Sequence, residues 1–324
     1  MNRSITFRTL AWALLAGWCL LFLRCETTEK SMVRAVYLEQ SDEGVQAALI
    51  YQAPEASADA SEASSALQMV WAKGNTLEQA VFTAQKTLPQ AADFRLCDYL
   101  LITRDTPETL LADYEQLVLE RQWGRAAARV AYMETESGFF EEESENQGRF
   151  ADKLIEKLKS HSAQLPRLYQ HTEEMLLPVL EADGDDMDFS GSMVLRTPEK
   201  QVELNEQKAE LALFLKSVPG TRVLWLDNEP VRIRRCSVSV TLRKETVFLR
   251  LDCQLAAGEP APTEAQKNQL KAESLQLIEE LWAQGTDLLC LQQSSALQYG
   301  AAKAAFTTKN ACPQLQTDVN FLQF

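Results

Sequence analysis

Apolar residues recur along this chain with two periods, and the switches between them mark the elements. Val33–Leu38 and Val45–Tyr51 flank the polar turn Gln40-Ser41-Asp42-Glu43-Gly44 and predict a β-hairpin. Leu67–Lys73 reads as a strand, and Gly74-Asn75 as a turn. Thr76 then caps a helix, with Gln79 completing a capping box and Leu77, Ala80, Val81, Ala84 and Leu88 on one face. Leu96–Thr103 is a compact apolar strand. Thr106-Pro107 opens a helix striped by Leu110, Leu111, Tyr114, Leu117 and Val118 and ended by Gly124. Ala127–Met133 is a further strand.

The same reading continues past an acidic stretch. Phe150, Leu154, Ile155 and Leu158 align on a helix, and a loop and short helix lead to Leu176–Leu180. Phe189–Leu195 predicts a strand, and Leu204–Ser217 a helix stopped by Pro219-Gly220. Three strands follow at Arg222–Leu226, Val231–Leu242 and Val247–Leu255. Pro262-Thr263 opens the longest helix, with Gln266 completing a capping box and Leu270, Leu277, Ile278, Leu281 and Trp282 facing inward. A helix around Asp287–Leu297 and a strand from Leu315 finish the chain, and no fixed-period repeat is visible.

Strands interleaved with helices on both sides of an acidic break predict an α+β chain of tandem mixed domains, each a β-sheet covered by helices. The divisions are residues 1–25 as a leader or anchor, 30–136 as the first domain, 137–147 as an acidic linker, and 148–324 as the second domain. The second is open to subdivision near 196–230. Within the first, 53–66 contains only Ala, Ser, Glu, Asp and Pro and reads as a flexible loop. A length of 324 residues suits two domains.

The leader changes the picture of location. Arg3 and Arg8 precede an apolar run from Leu10 to Leu23, the shape of an export signal and short for a membrane span. Cys25 stands where a lipoprotein carries its acylated cysteine, although Arg24 occupies the place of the usual small residue. Both lipid attachment at Cys25 and an uncleaved anchor remain open. The net charge is -14, and the only charges in residues 1–24 are Arg3, Arg8 and Arg24, so the rest is more acidic still. Such a balance argues against nonspecific nucleic-acid binding, which needs a cationic footprint.

Candidate chemistry is sparse. No phosphate-cradling glycine loop, H-E-x-x-H or G-x-S-x-G is present. His161 and His171 lie in a polar stretch and read as surface side chains. Asp183, Asp185, Asp186 and Asp188 offer oxygen at short spacing, but Met187 and the position of Gly184 break the calcium-loop pattern, and an Asp-Gly turn explains them as well. Trp71, Trp123, Trp225 and Trp282 fall within apolar patterns and read as core. Beyond the leader the cysteines show no C-x-x-C spacing. If residues 243–246 close a hairpin, Leu242 faces Val247 and Cys236 faces Cys253, both on the apolar face with Val238, Val240, Leu249 and Leu251. That pair is either a disulfide or two buried thiols. No catalytic residue, cofactor or metal is assigned.

The order of several segments resembles the Ger(x)C family, the C subunits of bacterial spore germinant receptors. Gly74-Asn75-Thr76-Leu77-Glu78-Gln79-Ala80 looks like the family's glycine and following helix, and Phe94–Ile102 like its central strand. Gly191-Ser192-Met193-Val194-Leu195, Val202-Glu203-Leu204-Asn205-Glu206 and Gly285-Thr286-Asp287-Leu288-Leu289 are similar to its later strand, the segment after the charged turn, and the corner after the long helix. Arg24 before the cysteine, Glu26-Thr27 after it and Phe94-Arg95-Leu96 depart from the pattern and mark a divergent member. The resemblance implies a non-enzymatic extracytoplasmic protein at the inner spore membrane, working with multi-pass A-type and B-type subunits in nutrient-triggered germination. The alternative is an exported lipoprotein of the cell envelope that binds a small molecule.

Overall fold

A computed structural model of the chain describes residues 30–52, 67–121, 127–135, 147–171, 173–183, 186–243, 246–300, 306, 308 and 310–322. Cys25, the 53–66 loop, Trp123, Gly124, residues 137–146 and the side chains of 183–186 lie outside that description.

β1 (Ser31–Ser41) and β2 (Gly44–Gln52) form the expected hairpin, and β3 (Leu67–Gly74) pairs with β2. β5 (Tyr99–Ile102), β6 (Arg129–Glu134) and β7 (Met175–Asp183) add in parallel beside β1, followed by antiparallel β8 (Asp186–Arg196) and β9 (Gln201–Leu204). The two-residue β4 (Ala92–Asp93) pairs with the start of β1. The order is β3-β2-β1-β5-β6-β7-β8-β9. The parallel centre is covered on both faces, which is why all four residues of β5 are apolar and buried. Helices α1 (Leu77–Thr87) and α2 (Glu108–Arg121) cover one face, and α3 (Gln147–Ser160) covers the other. Pro178 lies inside β7, where a proline is tolerated because the register with β8 shifts beside it and pairing with β6 starts at Val179.

The second sheet runs β10 (Arg222–Leu226), β11 (Glu229–Arg243), β12 (Thr246–Leu255) and β13 (Gln314–Leu322), with β13 parallel to β12. Its inner face packs on α4 (Glu206–Leu215), α5 (Glu264–Ala283) and α6 (Leu291–Tyr299). Its outer face is more exposed, so β11 alternates between covered and exposed residues, broken once at Arg234-Arg235, where β5 is buried throughout. α4 shares one core with the end of the first sheet and with the second sheet, so Ala209 and Leu211–Leu215 are all buried.

Both predicted N-caps are in place, but only the one at Thr263 is a full capping box. Thr263 accepts from Gln266 N at 3.2 Å while Gln266 Oε1 accepts from Thr263 N at 2.9 Å. Thr76 accepts from Gln79 N at 3.2 Å, but Gln79 reaches back to Asn75 N, one residue earlier than a strict box.

The sheets do not divide at 137–147: β6 and β7, on opposite sides of that stretch, pair directly, and the change of sheet falls between Leu204 and Arg222. That boundary lies within 196–230, where the sequence left room for a subdivision. Acidity marked a connection, not the end of a core. Residues 201–204 are also a strand, β9, because Asn205 and not Leu204 caps the helix: its Oδ1 accepts from Lys208 N at 3.0 Å.

Candidate functional site

The later segments that carry the family resemblance meet at the seam between the two sheets. Gly191 in β8 has φ +78, and a Cβ there would come within 3.1 Å of Glu206 Cγ at the start of α4. Gly285 has φ +83, and a Cβ there would lie 2.6 Å from Lys200 Nζ in the turn before β9. Lys200 Nζ donates to the carbonyl of Gln284 at 3.2 Å. The first contact joins residues 15 apart in sequence and the second joins residues 85 apart, each at a glycine that leaves room for the facing side chain.

The corner at Gly285 continues into a buried acidic joint. Thr286, buried, donates through Oγ1 to Leu281 O at 2.9 Å. The carboxylate of Asp287 accepts from Leu291 N at 2.8 Å and from Gln292 N at 2.7 Å, satisfying the first amides of α6. The Asp287 amide donates to the Glu174 carboxylate just before β7, and Lys216 Nζ, after α4, donates to Leu288 O at 3.4 Å. Burial pushes both carboxyls, Glu174 and Asp287, above their ordinary values. Cys290, at the α6 N-terminus with φ 53, is likewise raised by burial.

A second polar network ties the first sheet to its helices. Glu108 and Glu115 are two turns apart on α2 and so share a face. His171, 5% exposed, is held between them: Nε2 donates to Glu115 Oε2 at 2.8 Å, and Nδ1 is bonded to Glu108. Burial opposes the imidazolium, but the bonds to Glu108 and Glu115 outweigh it, so its pKa stands above the ordinary value. Arg196 of β8, 3% exposed, lies 3.6 Å from the Glu108 carboxylate. It donates to Tyr132 Oη at 3.0 Å and to Thr106 O at 2.7 Å. With both ring nitrogens committed, His171 has no free position from which to act on a substrate proton. It clamps α2 to the turn at 168–171.

His171 is buried, not a surface residue, because two carboxylates stand ready on α2; their seven-residue spacing was the available signal. His161 is half-buried, its ring 4.2 Å from that of Phe189. Trp282 is core at 2% exposure, but Trp225 is 56% exposed on the outer side of edge strand β10. Cys236 and Cys253 are register partners, as are Leu242 and Val247, and the two cysteines stand as buried free thiols on the inner face. Asp188 pairs with Lys157 at 3.0 Å. Among the described residues no group of three or more His, Cys, Asp or Glu side chains converges as a metal site, and no helix is long and apolar enough to cross a membrane.

A depression of about 880 Å³ opens at the carboxyl ends of parallel strands β1, β5 and β6, between residues 39–42, 103–105 and 133–135. Its arginine, Arg104, is already paired with Glu134 and Glu203.

No family model and no curated protein matches the chain. Among solved structures it is similar to a crystal structure of the GerBC protein, at 12% identity and a TM-score of 0.46, covering 92% of this chain and all of that one.

Proposed function

We propose that this chain is a divergent, non-catalytic subunit of a spore germinant receptor of the Ger(x)C type. It works on the extracytoplasmic side of the inner spore membrane in nutrient-triggered germination, through contacts with multi-pass A-type and B-type subunits. The leader holds it at the membrane, through acylated Cys25 or as an anchor. What supports the reading is the convergence of the family-like segments. Gly191–Leu195 and Val202–Glu206 meet through Gly191 against Glu206, and Gly285–Leu289 meets the turn between them through Gly285 against Lys200. A joint of that kind positions two sheets relative to each other, which is what a subunit acting by contact needs.

Removing the protein from sporulating cells tests this. Spores without it fail to respond to one class of nutrient and recover when the wild-type chain returns; an unchanged response overturns the proposal. Mass spectrometry of the mature N-terminus separates a diacylglyceryl Cys25 from an intact Met1.

A second reading, a small-molecule binder, is favoured by the depression at the strand ends, since open sheets with parallel strands bind ligands there. Calorimetry with amino acids and sugars distinguishes it: tight binding by the chain alone supports this reading over the first.

A further inference from the structure

The outer face of the second sheet concentrates positive charge on an acidic protein. β11 carries Arg232, Arg234, Arg235 and Arg243, and Arg250 lies beside them on β12, all exposed. The register shift between Ile233 and Arg235 is what places two arginines together: Ile233 and Cys236 both point into the core, and Arg234 and Arg235 both face solvent. Arg250 is bonded to Asp252 at 3.0 Å, and Arg232 lies 3.7 Å from Glu259. Arg234, Arg235 and Arg243 have no carboxylate within ion-pair distance among the described residues, and Arg243 stacks over the Phe248 ring at 5.3 Å. Ser237, Ser239 and Thr241 present exposed hydroxyls between them. Along one edge Val223, 41% exposed, pairs with Arg232, and Trp225 pairs with Pro230.

We propose that this face docks on an anionic phospholipid surface. Guanidinium groups bind phosphate oxygens in bidentate fashion, and serine and threonine hydroxyls donate to the same oxygens. Arg234 to Arg243 spans nine residues of strand, about 30 Å, which suits a plane of headgroups better than one small anion. A protein partner fits less well. Protein interfaces are depleted of charge at the centre, whereas here Arg234, Arg235 and Arg243 run along the face and the apolar Val223 and Trp225 stand to one side on β10. An exposed indole beside arginines is the arrangement found at the headgroup level of membranes. The acidic remainder of the chain is not an obstacle, because charges farther off than about 10 Å are screened. The proposal goes beyond the receptor reading, which stands or falls on the germination response.

Binding of the purified full chain to phosphatidylcholine vesicles, with and without phosphatidylglycerol, tests it. Neutral vesicles register whatever the leader contributes, so the ratio of anionic to neutral binding isolates the face. Each arginine near an anionic surface contributes about fivefold, so Arg234→Gln/Arg235→Gln/Arg243→Gln lowers the ratio about a hundredfold. Raising the salt removes the wild-type preference. A matched variant, Lys86→Gln/Lys159→Gln/Lys267→Gln, keeps the ratio within a factor of a few. If the triple arginine variant does not fold, Arg235→Gln alone lowers the ratio about fivefold. Equal binding to both vesicles, or a ratio unchanged in the arginine variants, overturns the proposal. Capture of polyglutamate by this face without any vesicle preference also overturns it, in favour of an acidic protein partner.

Discussion

His171 and Glu115 are joined at 2.8 Å across the buried contact between the 168–171 turn and α2, with Glu108 on the opposite ring nitrogen. The imidazolium is the form those two carboxylates favour, and Arg196 beside Glu108 is the other cation facing them. A histidine pKa raised by folding contributes stability that is complete below its ordinary value, near 6.5, and is lost as pH rises through the folded value. Thermal midpoints of the wild type therefore fall between mildly acidic and mildly alkaline pH. In His171→Gln that fall is reduced, and the variant is less stable by about 1–3 kcal/mol at the acidic end, because charge-assisted bonds are lost. Parallel pH series of melting curves check both.

The Asp287 joint gives a second prediction. Asp287→Ala leaves two α6 amides without their acceptor and removes a buried cap, for a loss of about 1–2 kcal/mol in urea unfolding. Asp287→Asn retains one acceptor oxygen and loses less.

Gly191→Ala tests the seam itself. The residue would carry a side chain at φ +78 with Glu206 against it, so a loss of about 1–2 kcal/mol is expected. Glu206→Ala in the same chain relieves the crowding but not the backbone strain, so it restores only part. Denaturation midpoints of the single and double variants measure the difference.

The cysteines differ in reach. Burial pushes the Cys97 thiol up to about 12, while for Cys253 the neighbouring Cys236 thiol and then burial raise it far out of the reactive range. Alkylation of the native chain near neutral pH leaves Cys97 and Cys253 unmodified, and urea exposes both, as peptide mass spectrometry reads out.

These features were unequally visible in the sequence. The pairing of Cys236 with Cys253 follows from counting outward from a short turn, because alternation fixes which residues face the core. Thr263 and Gln266 were equally plain, since a capping box is local. His171 was not: its partners on α2 lie 56 and 63 residues away, and nothing in a polar stretch shows that it will be covered. Trp225 misled for the opposite reason. Its apolar neighbours Leu224 and Leu226 face inward, and the alternation of β10 turns the indole to the outer face of the sheet. The acidic run at 137–147 looked like the end of a unit, yet hydrogen bonding between β6 and β7 joins its two sides. The contact between Gly285 and Lys200 was hidden by the 85 residues that separate them, although Gly285 stood in a segment the resemblance had marked.

The most direct test of the central claim is purification of the full chain from detergent-solubilised membranes of sporulating cells, with identification of what travels with it. The account predicts two multi-pass membrane proteins of the A and B type in comparable amounts, retained in the wild type. Recovery of the chain alone, or with no multi-pass protein, would contradict it.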